Sequence, residues 1–344
     1  MHMADALISP TVGATMWAAT AGLIGYSSSK VKKELDDRKV PLMGVLGAFI
    51  FAAQMINFTI PGTGSSGHLG GGMILAILLG PHAAFLTMAS VLTIQALFFA
   101  DGGLLALGCN IFNLGFFPCF VAYPFIYKKI VGVEPTQGRM MTGALIAAIA
   151  GLQIGAFLVV LQTVFSGISE LPFRTFVLLM QPIHFGIGLV EGFATAAVVI
   201  FVWRARPEIL NAAVKSAPIG GLSIRRVLIG LLAIAVFTGV GLSWFASTQP
   251  DGLEWSMFKT AGTEELEIPA HSLHAALAPI QEKTAFLPDY SFKTQSPGHE
   301  TEKQSSWPAV DPGTSLSGLV GGALTLLTAL LIGLALRRRK GMED

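Results

Sequence analysis

A histidine at the second position of a chain is a ready-made chelator. Met1-His2 places the terminal amine, the His2 backbone nitrogen and the His2 imidazole Nδ1 so close along the chain that all three can close small rings on one ion. A fourth nitrogen would complete a planar set, and planar nitrogen sets suit Ni(II) or Cu(II) rather than Zn, Mg or Ca. The candidate fourth donor is His68, in Pro61-Gly-Thr-Gly-Ser-Ser-Gly-His-Leu-Gly-Gly-Gly72. The amine, of pKa about 8, and the amide must both lose protons, so binding should strengthen as pH rises. A ligating imidazole usually donates its other N–H to a carboxylate or carbonyl. Asp5, Asn57, Ser65 and Ser66 are the candidate supports, each equally readable as a helix cap or turn residue.

Other polar groups read more plainly. Gln181, His184, Gly188 and Glu191 share one helical stripe. His184 and Glu191 read as a proton relay or, more simply, as an intramembrane polar pair that holds helices together, and Asn110 and Asn113 read the same way. His82 falls toward the opposite membrane face from His2, while His271 and His274 belong to a polar stretch read as a solvated loop. No G-x-x-x-x-G-K-[ST] phosphate loop is present, so no ATP site of that kind is expected, and no H-E-x-x-H supports an intramembrane metalloprotease. A membrane-embedded metal-dependent hydrolase would need an open coordination position beside a general base, and the sequence offers neither.

The elements that position these groups are membrane helices. Of 344 residues, 52% are hydrophobic and only 12% charged, too little charge for a soluble domain of this size. Repeated apolar runs of about 20 residues indicate an all-α polytopic membrane protein rather than a barrel. A net charge of +1 suggests no nucleic-acid partner. Cys109 and Cys119 lie ten residues apart in one run, ~15 Å on a helix, too far to pair.

Spans are expected at about 9–28, 41–58, 69–79, 81–100, 102–127, 138–165 and 172–203, then at 227–245 and 316–336. The first carries Ala14, Ala18 and Gly22 every four residues, a stripe that suits close approach by a helix of this chain or of a partner subunit. A break at Gly80-Pro81 makes 69–100 cross twice. Of the 22 Lys and Arg, 17 cluster at 30–39, 128–139, 204–226 and 337–340, and all then share the cytoplasmic side. The N-terminus is expected outside and the C-terminus inside. A helix over 69–79 is about 17 Å long against a ~30 Å core, so the glycine-rich loop before it must dip inward. Irregular backbone at that depth is tolerated only where protein buries it or a cavity is lined, which puts His68 on the same side as His2. The expected organisation is a seven-span domain over 1–205, a cytoplasmic linker over 206–226, and a two-span companion over 227–344 flanking an external loop, 247–312.

Four ordered motifs carry a family resemblance: Met1-His-Met-Ala-Asp5; Gly62-Thr-Gly-Ser-Ser-Gly-His68; Gln95-Ala-Leu-Phe-Phe-Ala-Asp-Gly-Gly103 with Gly108-Cys-Asn-Ile-Phe-Asn113; and His184 to Glu191. Over about residues 1–205 the chain resembles the CbiM/NikM family, the substrate-capture (S) components of nickel and cobalt energy-coupling-factor (ECF) transporters. The remainder resembles the small NikN-type companion subunit fused in line, since Pro250-Asp-Gly-Leu-Glu254 and Asp289-Tyr-Ser-Phe292 are similar to its PDGLE external segment. The resemblance implies a seven-helix S-component core plus two further helices in a prokaryotic plasma membrane. It implies Ni(II), or Co(II) for cobalamin synthesis, held by the Met1 amine, both His2 nitrogens and His68. It also implies partners this chain lacks: a transmembrane coupling (T) subunit and ABC-type ATPase subunits. Met3 and Ala6 depart from the family pattern, which expects a branched aliphatic and a glycine, and could alter how the N-terminal strand seats.

Overall fold

The computed structural model describes residues 2–169, 171–221, 223–263, 273–293 and 307–340. Met1 and His271 lie outside the described residues.

Helices occupy all nine segments expected to span. Helix α1 (Pro10–Glu34) starts where Ser9 accepts from the Val12 N–H and Pro10 sets the first turn. It runs past the expected end to carry Lys32 and Lys33 in its last turn. Helix α2 (Lys39–Gln54) leads to a hairpin of β1 (Phe58–Ile60) and β2 (Ser65–Gly67), in which Phe58 pairs with Gly67 and Ile60 with Ser65. Helix α3 (Gly72–Leu79) has only 8 residues, all buried, and stops at Gly80, whose φ of 82° lies in the left-handed region. Pro81 then begins α4 (Pro81–Phe99), so the glycine ends one helix and frees the chain to enter the next.

Helix α5 (Leu107–Ile111) continues through a π-helical stretch, Phe112–Tyr127, into α6 (Lys128–Val131). Pro118 and Pro124 lie inside that stretch and lack the N–H that a regular helix needs, which accounts for its widened register. The long helices α7 (Gln137–Ser166) and α8 (Phe173–Ala205) pack along each other. Among the described residues, five helices are long and apolar enough to cross a membrane: Pro81–Phe99, Leu107–Val131, Gln137–Ser166, Phe173–Ala205 and Pro312–Leu336.

The segment expected as a linker is structured. Helix α9 (Pro207–Lys215) buries Ile209, Leu210, Ala212 and Ala213 and packs against α3 and α8. Asp36 accepts from the Gly220 N–H at 2.8 Å, which ties the following turn to the loop before α2. Helices α10 (Arg225–Val240) and α13 (Pro312–Lys340) both pack on α2. Between them α11 (Gly252–Ala261) and α12 (Leu273–Thr284) lie at the His2 end.

Where α10 crosses α13, Gly239 and Gly318 meet backbone to backbone. A Cβ on Gly318 would lie 2.5 Å from the Gly239 carbonyl oxygen, whereas one on Gly322 would meet nothing nearer than 3.8 Å. Gly318→Ala should therefore destabilise the protein by about 1–3 kcal/mol through overpacking. Gly322→Ala should leave the melting temperature unchanged; equal melting temperatures for the two variants would disprove the close crossing.

Candidate metal centre

The N-terminal strand is seated by one amide side chain. Asn110, in α5, accepts from the Met3 N–H at 2.8 Å and returns a donor to the Met3 carbonyl at 3.1 Å, as a neighbouring strand would. The Gly103 N–H also donates to the Met3 carbonyl, at 2.9 Å. Met3 is fully buried, so its thioether fits the seat where an aliphatic was expected. The fixed strand presents His2, with its side chain 5% exposed, to Asp101: Nδ1 lies 3.1 Å from a carboxylate oxygen.

His68 arrives from the other direction. The hairpin ends at Gly67, and His68 opens the irregular segment that leads into α3. Two buried side chains hold this segment. Glu191, in α8, accepts from the Gly70 N–H at 2.8 Å and the Gly71 N–H at 3.1 Å, while Gln54 donates to the Gly70 carbonyl at 2.8 Å. The His2 and His68 rings then stack with centroids 4.9 Å apart and planes 13° from parallel. Nδ1 of His68 is 3.1 Å from the Leu69 carbonyl oxygen. A carbonyl only accepts, so that nitrogen carries the proton and Nε2 keeps the lone pair a metal would use. Burial pushes the His68 imidazole down to about 3, which keeps it neutral. Nε2 of His2 is buried with no hydrogen-bond partner among the described residues. The N-terminal chelate would need the ring turned so that Nδ1 leaves Asp101 for the metal and Nε2–H becomes the group a carboxylate could hold.

Around this pair the charges are acidic. A cavity of about 300 Å³ opens beside His2, with Asp5, Asp101, Asp251, Glu254 and Asp289 in its walls. Burial alone would raise the Asp101 carboxyl, but His2 and the Tyr290 hydroxyl hold it well below the usual carboxylate range. Among the described residues, no group of three or more His, Cys, Asp or Glu side chains converges as a metal cage.

Comparison with known proteins gives the family. The description of CbiM, the cobalt uptake substrate-specific transmembrane region, matches residues 2–209, and that of the PDGLE domain matches residues 225–338. The chain belongs to the CbiM family. A protein of Archaeoglobus fulgidus with the provisional name fused nickel transport protein NikMN is 33% identical, over 98% of each chain. The fused nickel transport protein NikMN of Rhodobacter capsulatus is 32% identical over 70% of this chain and 72% of its own. The crystal structure of a truncated transition metal transporter superposes with a TM-score of 0.53 at 30% identity, covering 60% of this chain and 99% of the other.

The PDGLE region closes over the CbiM region through a series of hydrogen bonds. Ser66 donates from its N–H to the Pro250 carbonyl at 2.8 Å, extending the hairpin by a parallel bridge to Asp251. Asp251 then caps α11 through a reciprocal pair with Glu254. His274 reaches the Ile8 carbonyl at 2.7 Å, and Gln281 donates to the Gly102 carbonyl at 2.7 Å. The Tyr290 hydroxyl donates to Asp101 at 2.5 Å. His274 is thus 1% exposed rather than part of a solvated loop.

The support for the imidazoles differs from the expected set. Asp5 accepts from the Ala106 N–H at 2.9 Å and so anchors the turn Asp5–Leu7. Asn57 offers its carbonyl to the Ser247 N–H, Ser65 bonds Thr63, and Ser66 donates to the Gln249 carbonyl. These bonds serve the hairpin and the strand; the carboxylate beside His2 is that of Asp101. Nor do His184 and Glu191 pair. The His184 ring donates to the Met180 carbonyl at 2.8 Å, and Glu191 serves the glycine segment. Nor do Asn110 and Asn113 pair with each other: the first holds the Met3 backbone, and the second bonds Gln162 of α7 at 2.8 Å and the Met3 thioether at 3.8 Å. Ala14, Ala18 and Gly22 face outward on α1, and a Cβ on Gly22 would meet no atom within 4 Å.

Proposed function

We propose that the chain captures Ni(II) at the outer face of a prokaryotic plasma membrane, as the substrate-specific subunit of an ATP-driven ECF-type importer. The observation that carries this reading is the stacked pair of His2 and His68 beside the N-terminus. One ring lies next to a chelating terminus and the other offers Nε2, the donors of a planar nitrogen set that suits Ni(II). The names of the two NikMN relatives support nickel, and the cobalt description of the matched family makes Co(II) the second reading. The basic clusters at 30–39, 128–139, 204–226 and 337–340 support an orientation with the N-terminus outside and the C-terminus in the cytoplasm. The carboxylates that line the cavity beside His2, at Asp5, Asp101, Asp251, Glu254 and Asp289, would concentrate cations at the mouth.

A capture subunit needs partners to move its cargo. The reading calls for a transmembrane coupling subunit and ABC-type ATPase subunits, and the outward face of α1 with Ala14, Ala18 and Gly22 is the candidate surface for the first of these. Cells expressing the chain with coupling and ATPase subunits should accumulate radiolabelled Ni(II), and cells lacking the chain should not. Equal uptake without the chain overturns the proposal; uptake of Co(II) in preference to Ni(II) selects the second reading.

A further inference from the structure

Three of the four non-glycine residues with left-handed backbone among the described residues lie at one junction. They are Ala100, at φ 55°, and Asp289 and Tyr290, at φ 49° and 59°. Such conformations persist where the surroundings over-determine them, often at functional contacts. Here they aim two side chains from opposite ends of the chain at each other. Ala100 turns the chain out of α4 so that Asp101 faces inward, and the Asp289–Tyr290 turn drives the phenol toward it.

We propose that Tyr290 is a positioning residue for metal capture, acting through Asp101 to orient the His2 imidazole; the inference rests on the chelate reading above. The hydroxyl donates to Oδ2 of Asp101 at 2.5 Å, and Oδ1 lies 3.1 Å from Nδ1 of His2. Gln95 donates to the same hydroxyl at 3.2 Å. The phenol is fixed independently of these bonds, because its ring stacks on Phe99 at 5.2 Å and meets the edge of Phe51 at 6.1 Å. A carboxylate held at one oxygen is restrained about its last torsion, so the second oxygen stays on the imidazole side, where it would accept from Nε2–H when Nδ1 serves the chelate. This makes the PDGLE region a contributor to the metal centre itself, one side chain removed from a ligand.

The test is a double-mutant cycle on the purified full chain with its native N-terminus, reading the Kd for Ni(II) and the melting temperature. Tyr290→Phe keeps the stacked ring, so its melting temperature should match the parent while its affinity falls about 3–10-fold; Asp101→Asn should cost about 10–100-fold. Because both act through one carboxylate, the combined variant should bind no more weakly than Asp101→Asn alone. Losses that multiply, or unchanged affinity for Tyr290→Phe, overturn the relay. His68→Ala, run in parallel, separates the two ideas. If it abolishes binding while Tyr290→Phe has no effect, the chelate stands and the relay fails; if it binds as the parent does, both fall.

Discussion

His68→Ala is expected to remove Ni(II) binding by the purified chain, with a loss on the order of 10³-fold or more, equivalent to about 4 kcal/mol. Losing Nε2 leaves three nitrogens to satisfy a planar ion that prefers four. One residue added before Met1 should do equal damage by a separate route, since it converts the terminal amine into an amide and leaves both imidazoles untouched. A yellow planar-nickel absorption should appear in the native form and vanish in both variants. Retention of the ion by the extended form would sink the N-terminal chelate. The pH dependence follows from the same donors. Burial holds the His68 imidazole at about 3, so it carries no proton to displace near neutrality. The terminal amine, at about 8, does, and affinity should therefore climb between about pH 6 and 8. Affinity that falls over that range would contradict the set.

The second large effect is expected at Glu191, which touches no proposed ligand. Both of its carboxyl oxygens accept backbone N–H groups of the glycine segment behind His68. Glu191→Ala leaves two buried donors without acceptors and opens a void, a loss of about 3–5 kcal/mol, or roughly 5–10 °C in melting temperature for a chain of this size. Ni(II) affinity should fall with it because His68 loses its footing. Glu191→Gln keeps the volume and one acceptor and should lie midway. A Glu191→Ala protein that melts and binds like the parent would show that Gln54 alone holds the segment.

Much of this was readable from local signals. The Gly80-Pro81 break and the short helix ahead of it follow from the missing proline donor and from length against membrane thickness, and both appear as α3 and α4. His68 could be placed on the same face as His2 because the span count puts the N-terminus and the loop after the second span on one side. Asp101 could not, since an aspartate before two glycines reads as a turn, and its partner Tyr290 lies 189 residues away with nothing local to set the register. The 247–312 stretch is polar in composition, which reads as solvated chain; its helices bury His274 and Ser256 against the first domain. The His184–Glu191 pairing fails for a reason that was available: seven residues along a helix is about 10.5 Å of rise, beyond any hydrogen bond.

Helix α3 has a consequence for how an ion could ever leave. Its sequence, Gly72-Met-Ile-Leu-Ala-Ile-Leu-Leu79, offers no polar side chain, and every residue of it is buried. Directly below, Gly80 meets the backbone of Ala213, and the apolar face of α9 seals the column. A divalent ion pushed down that path would trade its nitrogens for hydrocarbon, at a cost of tens of kcal/mol. On the capture reading proposed above, α3 therefore offers a bound ion no polar foothold toward the α9 end, and release along that path is not expected.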